Sequence, residues 1–194
     1  MSNWCPNSRF HHQGWNGFES TVMLDPLDPK FAQIGAAFID EYAREFDGTD
    51  HVYNCDLFNE LTPDNSTAAY IKESGAAVYQ AMLQSDPKAV WMMQVGGVGM
   101  VGPEHIYDHH KLQGWLFNSD FWTEERAQAL LESVEIGSMI VLDLDSTHDE
   151  HYTRLNSYFG QPFIYNDLNN FGGQIGINGR IKKIHKQIIE ARTM

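Results

Sequence analysis

The sequence predicts an α/β fold with a parallel sheet, either a doubly wound sheet or a (β/α)8 TIM barrel. Helix-like and strand-like segments alternate along the chain, which is typical of a parallel sheet with crossover helices. No glycine-rich phosphate-binding motif follows a predicted strand, which disfavours the nucleotide-binding doubly wound sheet. A closed barrel needs eight strands and about 250 residues. The four strands found here therefore indicate an open sheet or a fragment of a barrel.

Three longer segments have helical periodicity. The first begins at Asp28-Pro29, because proline suits the first position of a helix. Its apolar residues recur at intervals of three and four: Phe31, Ile34, Phe38 and Tyr42. The second helix covers about 67–84, and the third covers 123–134 with acidic residues in its first turn. A basic tail from Arg180 also has a helical pattern.

Four apolar segments are predicted as strands, and polar residues gather where each of them ends. The first strand begins at Val52. The other three cover 89–94, 138–145 and the start of 161–173. In the first strand, Val52, Cys55, Leu57 and Phe58 do not alternate cleanly, which predicts burial on both faces. The polar residues at their carboxyl ends are Asn59, Glu60, Gln94, Asp143, Asp145, Asp167, Asn169 and Asn170. Since barrel enzymes carry their chemistry at this edge, the site is expected there.

Composition limits the function classes. The 194 residues carry a net charge of −13, which disfavours nucleic acid as a partner. No apolar run reaches the roughly 20 residues of a membrane span, and the first residues do not resemble a signal peptide. The two cysteines, Cys5 and Cys55, can form one disulfide or remain two free thiols. The composition leaves the oligomeric state open.

Several segments together resemble the α-N-acetylglucosaminidases, glycoside hydrolase family 89. They lie in the family's order over most of residues 23–175. They read LDPLDPKFAQIGAAFIDEYAREFDGTDHVYNCDLFNE, AAVYQAM, AVWMMQ, GWLF, MIVLDL and QPFIYNDLNNFGG. The resemblance implies an α/β fold, a partial (β/α)8 TIM barrel of roughly four consecutive βα units. It forms one partial catalytic domain over 1–194, with an irregular lead-in at 1–28 and a divergent tail at 176–194.

The resemblance implies that Glu60 is the general acid/base of a retaining glycosidase that needs no metal and no cofactor. It also implies substrate contacts from Asn59, Cys55, Trp115, Asn169 and Asn170. Asn59 can bond the sugar's 2-substituent, although a turn asparagine is the plain alternative. Trp115 can stack on a sugar ring or be buried. Residues 165–169 depart from the Trp-Cys-Met-Leu-His run of many members, which puts contacts from Asn169 in doubt.

The implied partner is a glycan with terminal α-linked N-acetylglucosamine, of the heparan sulfate type, and the implied location is lysosomal or secreted. A retaining mechanism needs a second carboxylate as nucleophile. Glu190 is the only glutamate after Glu150, and its surroundings do not fit the family's nucleophile motif. We therefore expect the chain to be inactive alone.

Residues 95–113 interrupt the family's pattern, because deleting them joins AVWMMQ directly to GWLF. Valine codons begin GT and one glutamine codon is CAG, so the segment could be a retained intron of 19 codons. A mature transcript that keeps these codons would reject that hypothesis.

Two alternatives from other function classes remain. The first is a metal-dependent hydrolase that uses a cluster within 104–110. The cluster consists of Glu104, His105, Asp108, His109 and His110, of which His105 and His109 would share a helix face. A polar surface loop is the plain interpretation. The second alternative is a non-catalytic sugar-binding domain.

Overall fold

The computed structural model describes residues 8–13, 21–58, 63, 65–95, 121–144, 146–166 and 181–193. The elements in chain order are β1 (Phe10–Gln13), β2 (Thr21–Leu24), α1 (Pro29–Glu45), β3 (Val52–Asn54), α2 (Ala68–Ser85), β4 (Val90–Val95), α3 (Glu124–Leu131), β5 (Met139–Asp143), α4 (Ser146–Asp149), α5 (His151–Arg154), α6 (Asn156–Phe159), β6 (Phe163–Tyr165) and α7 (Ile181–Ala191). The lead-in that was predicted to be irregular contains the antiparallel pair β1–β2.

The four predicted strands form one parallel sheet in the order β3-β4-β5-β6. Val52 pairs with Val90, Trp91 with Met139, and Val141 with Phe163. Each strand is followed by helix, so the chain repeats a βα unit and neighbours in sequence are neighbours in space. The predicted α/β architecture of a partial barrel is confirmed.

The helices α1, α2 and α3 begin where the sequence predicts, because a polar side chain caps each of these three. Asp28 accepts a hydrogen bond from Lys30 N at 2.9 Å, with Pro29 at the first helical position. Thr67 accepts from Tyr70 N at 3.3 Å, and Thr123 accepts from Arg126 N at 3.4 Å. These oxygens satisfy amide groups that have no partner within a helix. Among the described residues, no helix is both long and apolar enough to span a bilayer.

The two faces of the sheet differ in burial. Trp91, Met93, Met139 and Val141 point toward the helices and are at most 1% exposed. They pack with helix residues that include Ile71, Val78, Leu130 and Leu131. The alternate positions Met92, Gln94, Ile140 and Leu142 are half-buried. The first strand was predicted to be buried on both faces, but in β3 Val52 and Tyr53 are half-buried and Asn54 is exposed.

The α2–α3 contact is close at Gly75, and this yields a prediction about stability. A Cβ at Gly75 would lie 2.4 Å from Ser133 Oγ and 2.8 Å from Ser133 Cβ. Gly75→Ala should therefore lower the free energy of unfolding by about 1–3 kcal/mol, although alanine favours a helix by about 1 kcal/mol. Urea denaturation measures the change. The loss should shrink in a Ser133→Gly background, and a gain in stability from Gly75→Ala alone would contradict the packing.

Candidate functional site

The carboxyl ends of the four parallel strands lie at one edge of the sheet. This edge carries Asp56 just after β3, Gln94 in β4, Asp143 in β5 and Asn166 just after β6. Glu60 follows the last residue of β3 by six positions. Of the predicted site residues, only Cys55 is described. Asn59, Glu60, Trp115, Asn169 and Asn170 lie outside the described residues.

The segment that follows β3 stays attached to β4 beyond the regular pairing. Cys55 N donates to Met92 O at 3.1 Å. The indole Nε1 of Trp91 donates to Cys55 O at 2.6 Å, and Gln94 N donates to Asp56 Oδ1 at 2.9 Å. Trp91 is completely buried, so the core fixes the position of the indole that donates to Cys55 O. The backbone that leads to Glu60 is therefore fixed to the neighbouring strand.

Phe58, two residues before Glu60, has an unusual backbone conformation. Its φ is +62°, in the left-handed region, where a bulky side chain is strained. Its ring is only 6% exposed and stacks on Tyr70 of α2 with 6.3 Å between ring centroids. Burial of the ring thus stabilises a disfavoured backbone geometry. The left-handed residue turns the chain sharply at the point where it leaves the sheet.

Cys55 lies on the helix-facing side of β3 and packs against the core. Burial, together with the nearby Asp56 carboxylate, raises the pKa of its thiol to about 11. Cys55 is therefore a neutral thiol at physiological pH and a poor nucleophile. Its side chain lines a groove between α1, α2 and β3. A contact between Cys55 and substrate stays a prediction.

Asp143, at the end of β5, is completely buried and faces the helical layer. Its Oδ2 accepts a hydrogen bond from Tyr158 OH of α6 at 2.6 Å. Burial and the negative charge of Asp143 raise the pKa of Tyr158, so the phenol remains a donor. The sequence suggested that Asp143 lies near the pocket. The structure shows it bonding the helical layer instead, and Asp145 lies outside the described residues.

The ends of β5 and β6 are joined by Ser146, a link that the sequence did not reveal. Ser146 N donates to Asn166 O at 3.0 Å, and Asn166 N donates to Ser146 Oγ at 3.2 Å. Ser146 Oγ also donates to Asp143 O at 3.4 Å. No motif in the sequence marks these bonds, because they join residues 20 positions apart.

Asp56 is a partly buried carboxylate at this edge that the sequence pattern did not single out. Burial raises its pKa above the ordinary value, and the hydrogen bond from Gln94 N acts in the opposite direction. It stands four residues before Glu60, at the edge where the barrel chemistry is expected. No group of three or more potential metal ligands occurs within the described ranges, and the 104–110 cluster falls outside them.

Comparison with known proteins agrees with this geometry. A family model described as the α-N-acetylglucosaminidase (NAGLU) TIM-barrel domain matches residues 1–98 and 105–194. Human α-N-acetylglucosaminidase is 38% identical over 170 residues, which are 87% of this chain and 20% of the human protein. The chain belongs to the α-N-acetylglucosaminidase family. The unmatched residues 99–104 fall inside the segment 95–113, whose origin stays a prediction.

The fold of this family member also matches solved structures. A family 89 glycoside hydrolase from Clostridium perfringens, in complex with 2-acetamido-1,2-dideoxynojirmycin, superposes with a TM-score of 0.72 at 21% identity. A glutamine-substituted form of that enzyme, in complex with its substrate GlcNAc-alpha-1,4-galactose, also gives 0.72 at 19% identity. Both matches cover 99% of this chain and 19% of the other chain. The chain thus spans about a fifth of the length of these relatives.

Two substitutions at Asp56 separate its hydrogen bond from its charge. Asp56→Ala leaves Gln94 N without its acceptor, so the free energy of unfolding should fall by about 1–3 kcal/mol. Asp56→Asn keeps an acceptor and removes a charge that burial disfavours, so at neutral pH it should match or exceed the original chain in stability.

The pH dependence checks this assignment. Because the pKa of Asp56 is raised in the folded state, its stabilisation is complete below the ordinary value of 3.8 and is lost as pH rises through the folded value. Any advantage of Asp56→Asn, measured by urea denaturation, should therefore vanish at acidic pH. Equal losses for Asn and Ala at neutral pH would contradict the role of the hydrogen bond.

Proposed function

We propose that this chain is part of the catalytic barrel of an enzyme that hydrolyses terminal α-linked N-acetylglucosamine with retention of configuration. The observation that carries the proposal is the family match over nearly the whole chain. In addition, hydrogen bonds to β4 fix Cys55 and Asp56, which stand four to five residues before Glu60 in the sequence. Glu60 is the general acid/base in this proposal. It protonates the departing glycosidic oxygen and later removes a proton from the attacking water.

The surroundings of β3 support an acid at this position. Glu60 must be protonated near the working pH, which requires burial or a nearby negative charge. The partly buried Asp56 carboxylate lies four residues earlier in the chain and can supply such a charge. The bonds of Cys55 and Asp56 to β4 hold the preceding backbone, which suits an acid that must stay within hydrogen-bond reach of the substrate.

The proposal assigns the remaining substrate contacts to residues that follow the strands in the sequence. Asn59 orients Glu60 or bonds the 2-acetamido group, Trp115 stacks on the sugar, and Asn169 and Asn170 bind hydroxyl groups. Cys55 packs against the core and holds the backbone of this segment through its hydrogen bonds to β4. Terminal N-acetylglucosamine is the proposed recognition element, in agreement with the name of the human relative and the ligands of the bacterial one. A heparan sulfate-type glycan and a lysosomal or secreted location complete the proposal.

A chimera tests the role of Glu60. The matching segment of the human relative is replaced by this chain, and hydrolysis of aryl α-N-acetylglucosaminides is measured. Glu60→Gln should lower kcat/KM by about 10²–10⁴-fold for a poor leaving group, because protonation of the leaving oxygen is lost. The loss should be much smaller for a dinitrophenyl leaving group, which departs without a proton.

The control for this chimera is Glu73→Gln, since Glu73 is an exposed glutamate on α2. It should leave both substrates unaffected. An equal loss for good and poor leaving groups in Glu60→Gln would show that Glu60 is not the acid. A chimera that folds but is inactive with both substrates would count against the proposed function itself.

The 194-residue chain alone should show no turnover of the same substrates above background. A retaining mechanism needs two carboxyl groups about 5–5.5 Å apart, and Glu60 by itself cannot form the glycosyl-enzyme intermediate. A fluorogenic assay at high enzyme concentration measures this. Turnover that disappears in Glu60→Gln would show that the chain contains a nucleophile after all.

A further inference from the structure

One asparagine of the chain stands in the sequence pattern that accepts an N-linked glycan. The pattern is Asn-x-Ser/Thr with any residue but proline in the middle, and it occurs once, as Asn65-Ser66-Thr67. We propose that Asn65 is an N-glycosylation site, which places a covalent oligosaccharide just before α2. The proposal rests on the proposed lysosomal or secreted location, because this modification belongs to proteins that enter the secretory pathway.

The side chain of Asn65 meets the steric requirement for a bulky substituent. Asn65 is exposed, in the short segment that precedes α2. It accepts hydrogen bonds from Thr67 N at 3.1 Å and from Thr67 Oγ1 at 2.8 Å, and both bonds end on Oδ1. The sugar attaches to Nδ2, so a glycan displaces neither bond. Because the side chain already stands in solvent, an oligosaccharide fits without repacking of α2.

The Thr67 hydroxyl has two roles in this segment. It supplies the hydroxyl that the acceptor pattern requires two residues after the asparagine, and it lies 2.8 Å from Asn65 Oδ1. The same oxygen accepts from Tyr70 N at 3.3 Å and so caps α2. The two roles need different chemistry, since capping needs only an acceptor whereas the acceptor pattern needs a hydroxyl. Substitutions at position 67 can therefore separate them.

Arg126 of α3 fixes the backbone in the middle of the acceptor pattern. Its Nε donates to Ser66 O at 2.8 Å, and its Nη2 donates to Ser66 Oγ at 3.3 Å. A third bond, from Nη1 to Phe121 O at 2.9 Å, holds the guanidinium itself. Ser66 is accordingly half-buried, while Asn65 and Thr67 on either side of it are exposed. The contact with α3 thus holds the segment in place and keeps the acceptor asparagine at the surface.

The direction of α2 shows where the glycan stands relative to the sheet. α2 ends at Ser85, shortly before β4 begins at Val90, so its last turn lies near the amino edge of the sheet. Its 18 residues carry its first turn toward the opposite edge, at about 1.5 Å per residue. Asn65 therefore lies on the side of the carboxyl ends of the strands, where the proposed active site is expected.

The modification is a group transfer from a polyprenyl diphosphate-linked oligosaccharide. A bond forms between Asn65 Nδ2 and C1 of the first N-acetylglucosamine, and the bond from C1 to the diphosphate oxygen breaks. The polyprenyl diphosphate leaves with the electron pair of that bond, and Nδ2 gives up one proton to a base of the transferase. The amide stays neutral, so the product adds a polar, uncharged surface group.

Mass spectrometry of the secreted chain tests the proposal. The 194-residue chain is given a cleavable signal peptide and produced in a eukaryotic cell line, which supplies the secretory pathway independently of the natural location. We expect one glycan, on Asn65. A peptide N-glycosidase in water enriched in heavy oxygen should release it from the folded protein without denaturant, because Asn65 is exposed. Release leaves a labelled carboxylate at position 65, which tandem mass spectrometry locates.

Two substitutions of Thr67 form a matched pair. Thr67→Ser keeps both the hydroxyl and the helix cap, so the glycan should remain. Thr67→Asp keeps a capping acceptor but removes the hydroxyl, so α2 should form and the glycan should be lost. Circular dichroism checks the helix content of both. Asn65→Gln, which retains an amide outside the acceptor pattern, should also abolish the modification, and cell lysate and medium are both analysed.

An unmodified secreted chain would overturn the proposal. So would a glycan that persists in Thr67→Asp, or one that is released only after denaturation. These failures would leave the role of Glu60 untouched, because the readout is mass and not hydrolysis. The same peptide from the protein's natural source completes the test: an unmodified Asn65 there would also overturn the proposal, and would trace the failure to the proposed location if the signal-bearing chain is glycosylated.

Discussion

The parallel alignment of β3 with β4 is the constraint on which the other features of this chain depend. It continues past the last ladder pair through the Cys55 and Asp56 bonds to β4. Because Trp91 supplies one of these bonds from a completely buried position, the core itself fixes where the chain leaves the sheet. A strained turn at Phe58 follows, two residues before Glu60 in the sequence.

The two edges of the sheet are held by different polar groups. At the carboxyl edge, Tyr158 bonds the buried Asp143 and Ser146 joins the last two strands. At the amino edge, Asp86 accepts hydrogen bonds from His51 Nδ1 at 2.7 Å and Tyr53 OH at 2.8 Å. Burial acts to raise the pKa of Asp86, but the bonds from His51, Lys88 N and Tyr53 together outweigh it and lower the pKa. Asp86 therefore contributes stability above its ordinary pKa that is lost on acidification.

Two requirements of a barrel glycosidase are not met by the four parallel strands alone, one functional and one structural, and they are related. A retaining glycosidase needs a second carboxylate, and a parallel sheet needs partners for its outer strands. In a closed barrel, one set of additional strands meets both needs, because the carboxyl ends of all strands surround one opening.

The sequence by itself determined the order of the four parallel strands and of α1, α2 and α3, the starts of those helices, and the family. Capping residues such as Asp28 and Thr67 act on amides within three positions, and the strand segments are marked by their own apolar residues. These are local effects, so they can be predicted from neighbouring residues. The motif that ends in Asn59-Glu60 is likewise continuous in the chain.

Only the tertiary structure decided which face each strand residue occupies and which polar groups meet. The strand segments are apolar at nearly every position, so their pattern did not distinguish the helix-facing Asp143 from residues on the open face. The bond between Asp56 and Gln94 joins residues 38 positions apart, and the bond between Tyr158 and Asp143 depends on the path of three short helices. Such contacts arise from strand register and helix packing, which link distant parts of the chain and leave no local pattern in the sequence.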